Sequence, residues 1–272
     1  MSFTLPKKRK LKKVVSIIFV LYIINGLALY LFQESLLFRP SVLAQDYKYA
    51  FSHPFEELFL KTEDGETINA IHFKKENPKG VVIHFHGNRG NIDEWGQKSK
   101  LFLDRGYDVF VMDYRSYGKS TGVITETSFY SDALLCYNYV KSIYSENKIT
   151  VYGRSLGTGF ATYVASKNKP KQLVLESPYY EIADPAQHRI IIYPAKLFLN
   201  FELPTYKYIK NVISPITIIH GTDDYIIPYE SAKKLYNIIP KDLKTFITIK
   251  DAKHSDLFKF DSYVKAIDAL LL

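Results

Sequence analysis

Five residues, Gly153-Arg154-Ser155-Leu156-Gly157, constrain this chain more than any other stretch. Before them, Lys148-Ile149-Thr150-Val151-Tyr152 reads as a short strand, rich in β-branched and aromatic side chains. After them, Thr158 to Ala165 reads as the start of an apolar helix. A tight strand-to-helix turn holds its serine in a strained conformation with the hydroxyl exposed, and the flanking glycines let neighbouring backbone approach. The helix behind the serine presents unpaired N–H groups to an oxygen that gains negative charge. A bare G-x-S-x-G match arises by chance, because Gly and Ser are common. The strand before this one and the helix after it make it a nucleophile elbow.

The surrounding pattern is an alternation of strands and helices from about Phe55 onward. Glu57 to Lys61 and Thr67 to Phe73 flank the turn Glu63-Asp64-Gly65-Glu66, which predicts an antiparallel hairpin. Strands are then expected at Gly80 to Phe85, Tyr107 to Met112, Lys148 to Tyr152, Gln172 to Leu175, Ile216 to Ile219 and Thr245 to Ile249. Helices are expected at Glu94 to Arg105, Thr127 to Tyr144, Glu230 to Ile238 and Phe258 to Leu271, with an irregular stretch from Ser177 to Val212. This order predicts an α/β fold, a mostly parallel sheet with helices on both faces. The 272 residues suffice for one such domain with a buried core.

Sites in open parallel sheets lie beyond the carboxyl ends of the strands. Four polar motifs fall there: His86-Gly87-Asn88, Ser155, His220-Gly221-Thr222-Asp223-Asp224, and Lys253-His254-Ser255-Asp256. A serine hydroxyl is a weak nucleophile until a base takes its proton. His254, on the polar loop after the last strand, is the candidate base. Asp224, with Asp223 second, is the candidate carboxylate that fixes the imidazole tautomer. The order Ser, Asp, His suits this architecture. The oxyanion donors are the backbone amide of Leu156 and an amide from the loop after Phe85, expected to be that of Asn88. Asp113 and Glu176 are weaker alternative acids. His84 and His86 point to one face of a strand, as metal ligands can, but no third ligand of suitable spacing accompanies them. His84 is expected to be a satisfied core residue and His220 a structural one. Cys136 is expected to be a small buried hydrophobe. This chemistry requires no metal or cofactor, and neither a dinucleotide fingerprint nor a P-loop occurs.

Lys7, Lys8, Arg9, Lys10, Lys12 and Lys13 precede a charge-free run from Val14 to Phe32. At 19 residues this run is close to the minimum that spans a bilayer as a helix. Cytoplasmic flanks are rich in Lys and Arg, so the N-terminus is expected in the cytoplasm and the body outside it. Asn25 and Gly26 read as tolerable interruptions. A nuclear localisation signal, a cleaved signal peptide ending near Ala28 and a buried core helix are the competing readings. The apolar run continues past Ala28 without a break, which favours an uncleaved signal-anchor. Residues 33–54 form a connector, whose Leu36, Leu37, Phe38, Tyr47, Tyr49 and Phe51 are expected on the domain or at the membrane interface. The net charge of +8 owes most to the leading cations: without those six, 30 of the 36 basic residues remain against 28 acidic. The near-neutral body carries no basic stripe with interleaved aromatics, which argues against a nucleic-acid partner.

From Phe55 to the C-terminus the chain resembles the α/β-hydrolase superfamily. Within it the chain is similar to the small membrane-anchored serine hydrolases of the bud-emergence type. The resemblance rests on Phe85-His86-Gly87-Asn88-Arg89-Gly90-Asn91, Asp113-Tyr114-Arg115-Ser116-Tyr117-Gly118, the elbow, His220-Gly221-Thr222-Asp223-Asp224 with Pro228, and His254-Ser255-Asp256-Leu257. It implies a Ser155–Asp224–His254 triad, since the family's acid lies four residues after the histidine of its histidine–glycine pair. It also implies a short cap at about 179–212, whose size suggests an open site and whose aromatic and aliphatic residues suggest acyl or lipid-like substrates. Two positions depart from the family pattern, Arg89 and Ser116. Arg89 lies beside the oxyanion loop, where it either contacts an anionic acyl or head group or is a solvated loop cation. Members of the subgroup resemble carboxylesterases, thioesterases and aminopeptidase-like enzymes. The expected activity is hydrolysis of an ester, thioester or amide through an acyl-serine. An acyltransferase with the same triad and a non-catalytic membrane-anchored binding protein are the alternatives.

Overall fold

The computed structural model describes residues 6–271. The charge-free run lies inside a longer helix, α1 (Pro6–Leu37), of which Lys10–Leu37 is long and apolar enough to cross a membrane. The chain then turns at Phe38, whose ring sits between those of Phe129 and Phe201, with centroids 5.2 and 4.8 Å away. The two-residue strand β1 (Arg39–Pro40) follows. Much of the connector is seated on the body: Tyr49 is buried and its hydroxyl donates to Asn69 Oδ1 at 2.9 Å.

β2 (Phe55–Lys61) and β3 (Thr67–Phe73) form an antiparallel hairpin with Phe55 opposite Phe73. β4 (Val81–Phe85) enters the middle of the sheet, and β5 (Arg89–Gly90) pairs in parallel with β1. Helices α2 (Ile92–Lys98) and α3 (Lys100–Leu103) lead to β6 (Asp108–Met112). The single helix expected over Glu94 to Arg105 is thus two. Ser99 separates them and turns its hydroxyl back on the Trp95 carbonyl at 3.3 Å, a local bond that competes with regular helix. The first helix also starts earlier than expected, because Asn91 caps it by accepting the Asp93 N–H. α4 (Glu126–Lys141) precedes β7 (Ile149–Arg154), and α5 (Gly157–Lys167) precedes β8 (Gln172–Glu176). Three short helices, α6 (Ala183–Arg189), α7 (Ala195–Phe198) and α8 (Thr205–Ile209), occupy the stretch expected to be irregular. β9 (Ile216–Gly221), α9 (Tyr229–Asn237), β10 (Lys244–Ile249) and α10 (Asp261–Leu270) complete the chain.

The eight long strands lie in the order β2-β3-β6-β4-β7-β8-β9-β10. β3 runs antiparallel to β2 and β6, and every later neighbour pair is parallel. Every residue of β4 and β6 is buried, which is why these strands read as nearly continuous apolar runs, interrupted only by His84 and Asp108. Alternate side chains feed two cores. Ile83, Phe110, Val151 and Leu175 join residues of α4 and α5, Cys136 among them; Val82, Val111, Tyr152 and Val174 join residues of α2, α3 and α10. From β4 the chain crosses to β6 on one side and returns to β7 on the other. Such a reversal opens a crevice beyond the strand ends, and Asn88 and Ser155 follow β4 and β7 into it.

Candidate active site

Ser155 has φ of +52°, in the left-handed region that side-chain-bearing residues rarely occupy. Such strain costs on the order of 1–3 kcal/mol and persists only where the surroundings impose it. Here they do. The Ser155 N–H donates to the Glu176 carbonyl at 2.9 Å. A Cβ on Gly157 would lie 2.1 Å from the Phe85 carbonyl oxygen, and one on Gly153 would lie 2.7 Å from Ala161 Cβ. Strand β4 and helix α5 can approach the turn only because both positions are glycine.

His254 Nε2 lies 3.0 Å from Ser155 Oγ, and its Nδ1 lies 2.7 Å from Asp224 Oδ2. With its Nδ1–H donating to the carboxylate, the ring leaves Nε2 to accept from the serine hydroxyl. Asp224 is buried. Its Oδ1 accepts the N–H groups of Ile226 and Ile227, each at 2.9 Å, and His220 Nε2 stands 3.3 Å from Oδ2 while donating to the Ile227 carbonyl. Burial opposes ionisation of Asp224, but the hydrogen bonds from His220 and His254 and their charge outweigh it, holding the carboxyl well below the usual carboxylate range. Asp223 is exposed and accepts from Thr222 Oγ1. Asp113 lies beside His86, 3.5 Å from its Nε2, and accepts the Ile92 N–H, so it fastens the loop after β4. Glu176 is occupied by Arg154 and by the hydroxyls of Tyr152 and Tyr263.

Asn88 and Leu156 both border the space in front of Ser155. The Asn88 carbonyl accepts from the Arg39 N–H and the Tyr117 hydroxyl, both at 2.9 Å, and its side chain donates to the Leu37 carbonyl at 2.8 Å. Among the described residues neither amide N–H has a protein acceptor. The His86 ring stacks near Trp95 and Tyr114, and the Tyr114 hydroxyl holds its carbonyl at 2.7 Å. Two cavities meet at Ser155. One, of about 340 Å³, is mostly apolar and lies under α6 and α7. The other, of about 900 Å³, is more polar and is lined by Arg39, Arg89, Trp95, Arg154 and His254 among others. Arg89 is exposed there, and its carbonyl accepts from Trp95 Nε1 at 2.8 Å.

Two expectations need correction, and one residue has a role that the sequence did not signal. The hydroxyl expected to be exposed belongs to a residue that keeps only 7% of its surface; α1 and the short cap together roof the apolar cavity, whereas among the described residues neither lines the polar cavity that also meets Ser155. His84 is not a satisfied core residue: among the described residues both ring nitrogens lack a partner inside a cage of Trp95, Phe102 and Tyr152. Burial therefore drives its pKa well below the usual histidine range, which keeps it neutral. Arg154, to which the sequence assigns no role, makes two bonds across the site. Its Nε donates to Glu176 Oε1 at 2.7 Å and its Nη2 to the His254 carbonyl at 2.9 Å, so it ties the nucleophile's strand to the base's loop.

The sequence model of the family described as serine aminopeptidase, S33, matches residues 76–211, half of the chain. The chain is similar to a lysophosphatidylserine lipase of Xenopus tropicalis, 31% identical over 178 residues, covering 58% of this chain and 46% of the relative. The corresponding lipase of Rattus norvegicus is 28% identical over 206 residues, covering 68% and 52%. The chain therefore spans about half the length of these lipases. An uncharacterised protein of Acanthamoeba polyphaga mimivirus is 32% identical over 203 residues, covering 67% and 69%. In structure the chain resembles an esterase of Pyrococcus furiosus, with TM-score 0.69 and 19% identity over 86% of this chain and 96% of that one.

Proposed function

The chain belongs to the serine aminopeptidase S33 family of the α/β-hydrolase superfamily, and on that footing we propose that it is a membrane-anchored serine hydrolase that cleaves esters of lipid-like acyl groups through an acyl-serine intermediate. The observation that carries this reading is the unbroken line of hydrogen bonds from Ser155 through His254 to Asp224, at the mouth of an apolar cavity. Ser155 Oγ attacks the ester carbonyl carbon while His254 Nε2 takes the hydroxyl proton. Asp224 stabilises the imidazolium, and its two backbone N–H bonds keep the carboxylate aimed at Nδ1. The N–H groups of Leu156 and Asn88 receive the oxyanion; losing one such donor costs about 10²–10³ in kcat. As the tetrahedral intermediate collapses, His254 gives the proton to the leaving alcohol. Water activated by the same imidazole then releases the acid. The apolar cavity suits the acyl chain and the polar one the departing head group. Lysophosphatidylserine lipases among the relatives support an ester of this kind. The cations from Lys7 to Lys13, at the start of α1, support an anchor with a cytoplasmic N-terminus and the body on the other side.

Labelling by a fluorophosphonate probe in isolated membranes tests the reading. The wild type is expected to label and Ser155→Ala not to. A folded wild type that stays unlabelled would overturn it. A series of acyl esters then tests the substrate class: equal kcat/KM for acetyl and long-chain esters would remove the lipid-like assignment.

A further inference from the structure

The face that α1 turns toward the body carries Tyr22, Gly26, Leu29, Gln33 and Leu36, at alternating helical spacings of four and three. Its contacts are specific. Tyr22 stacks on Tyr193 with centroids 4.5 Å apart, the Tyr22 hydroxyl donates to the Ile192 carbonyl at 3.1 Å, and the Tyr193 hydroxyl donates to the Tyr22 carbonyl at 2.6 Å. Gly26 makes room for this stack, since a Cβ there would lie 2.8 Å from the Tyr193 ring. One turn before the helix ends, the buried side chain of Gln33 accepts the Asn200 N–H at 2.7 Å and donates to the Phe198 carbonyl at 3.2 Å. A polar side chain in an apolar helix is costly unless its bonds are met, and here the cap meets them. Leu29, between these two latches, and Leu36, beyond the second, line the apolar cavity opposite Ile190 and Tyr193, with Ser155 and Leu156 also on its wall.

We infer that α1 is one wall of the acyl-binding site, and that the acyl chain of a bilayer-resident lipid ester reaches Ser155 along this helix without crossing water. The inference rests on the hydrolase reading for its chemistry and on the cavity for its geometry. The other face of the same helix, with Ile23, Leu27 and Leu31, is exposed and apolar, as a lipid-facing surface is. The cap residues flanking Tyr193 continue that surface: Ile191, Ile192 and Leu197 are 81%, 66% and 83% exposed. Contiguous exposed apolar surface of this kind is covered by a membrane or a partner, and its continuity with a helix long enough to span commits it to lipid. The cavity therefore lies between two elements that both border the hydrocarbon.

The test uses the full chain in phosphatidylcholine vesicles with three variants. Leu29→Trp and Leu36→Trp fill the cavity from the α1 side, and Leu27→Trp places the same bulk on the lipid side. The readout is the ratio of kcat/KM for a long-chain monoacyl glycerol ester in the vesicles to that for p-nitrophenyl butyrate. Either cavity-side variant is expected to lower the ratio about tenfold or more, as lost binding of remote substrate atoms lowers kcat/KM, while Leu27→Trp leaves it near the wild-type value. Wild-type ratios in both cavity-side variants would reduce α1 to a tether. A second measurement is independent of catalysis. A diazirine-bearing fatty acid in the same vesicles is expected to crosslink to the cavity face of α1 and to the cap, and Leu29→Trp is expected to suppress that adduct. A protein that labels at the cavity but hydrolyses no ester would retain the acyl site and lose the hydrolase reading. Failure to crosslink at Leu29 or Leu36 would overturn the site itself, whatever the activity.

Discussion

Replacing Arg154 separates two roles that its guanidinium combines. The side chain pairs with Glu176, which is 4% exposed, and holds the carbonyl of His254. Arg154→Met keeps an apolar stem near Trp95 and removes both bonds. Glu176 then keeps the hydroxyls of Tyr152 and Tyr263 but loses its counter-charge, and removing one partner of a buried ion pair costs about 3–5 kcal/mol. The bond to the His254 carbonyl is charge-assisted, worth about 1.5–3 kcal/mol, and if that free energy serves to keep the imidazole on Ser155 its loss lowers kcat about ten- to a hundredfold. The single variant cannot distinguish these effects, because an unstable protein also loses activity. Arg154→Met combined with Glu176→Gln can. The neutral amide leaves no buried charge unpaired, and its carbonyl oxygen still accepts from the two tyrosines. The double variant is expected to recover most of the melting temperature while kcat for p-nitrophenyl butyrate stays low and KM changes little, the signature of an interaction that acts on the chemical step. Recovery of both melting temperature and kcat in the double variant would refute a positioning role for Arg154 and leave it a structural partner of Glu176.

Two further outcomes follow from buried groups and tight turns. His72 is buried in β3, with Nε2 3.1 Å from the Tyr144 hydroxyl and Nδ1 without a partner among the described residues; burial, helped by the charge of Lys74, pushes its pKa down to about 4. The unfolded chain takes up this proton near pH 6.5, so the stability tied to neutral His72 is full above that pH and is lost as pH falls toward 4, roughly 3 kcal/mol in all. Urea midpoints of the detergent-solubilised protein are expected to fall across that window and to fall less in His72→Phe; identical slopes would remove His72 as the cause. Gly157→Ala is expected to cost more than about 4 kcal/mol, because its Cβ meets backbone 2.1 Å away, whereas Gly65→Ala, with φ of +88° but open space around it, is expected to cost about 1 kcal/mol. Comparable melting temperatures for the two alanine variants would show that β4 does not press on the elbow.

What could be read in the chain follows the range over which each constraint acts. β4 and β6 were legible because a strand covered on both faces needs an unbroken apolar run, and Val81 to Phe85 and Asp108 to Met112 nearly provide one. The elbow was legible because a left-handed serine squeezed between strand and helix requires glycine on both sides, all within five residues. His254 and Asp224 could be placed because each follows a strand, and strand ends converge on one edge of a parallel sheet. Gly26 was not legible. A glycine in an apolar helix reads the same whether it faces lipid or a tyrosine ring, and the tyrosine that gives it meaning is residue 193. The bonds that latch α1 to the cap join residues 165 to 171 positions apart, with no local pattern to announce them. Arg154 escaped for a related reason: the turn demands nothing of its side chain, and its two acceptors belong to β8 and to the loop after β10. The roof over Ser155 is therefore a tertiary property. Helical periodicity marks which residues of α1 share a face, and only the packed structure shows that this face looks into the site and not into the bilayer.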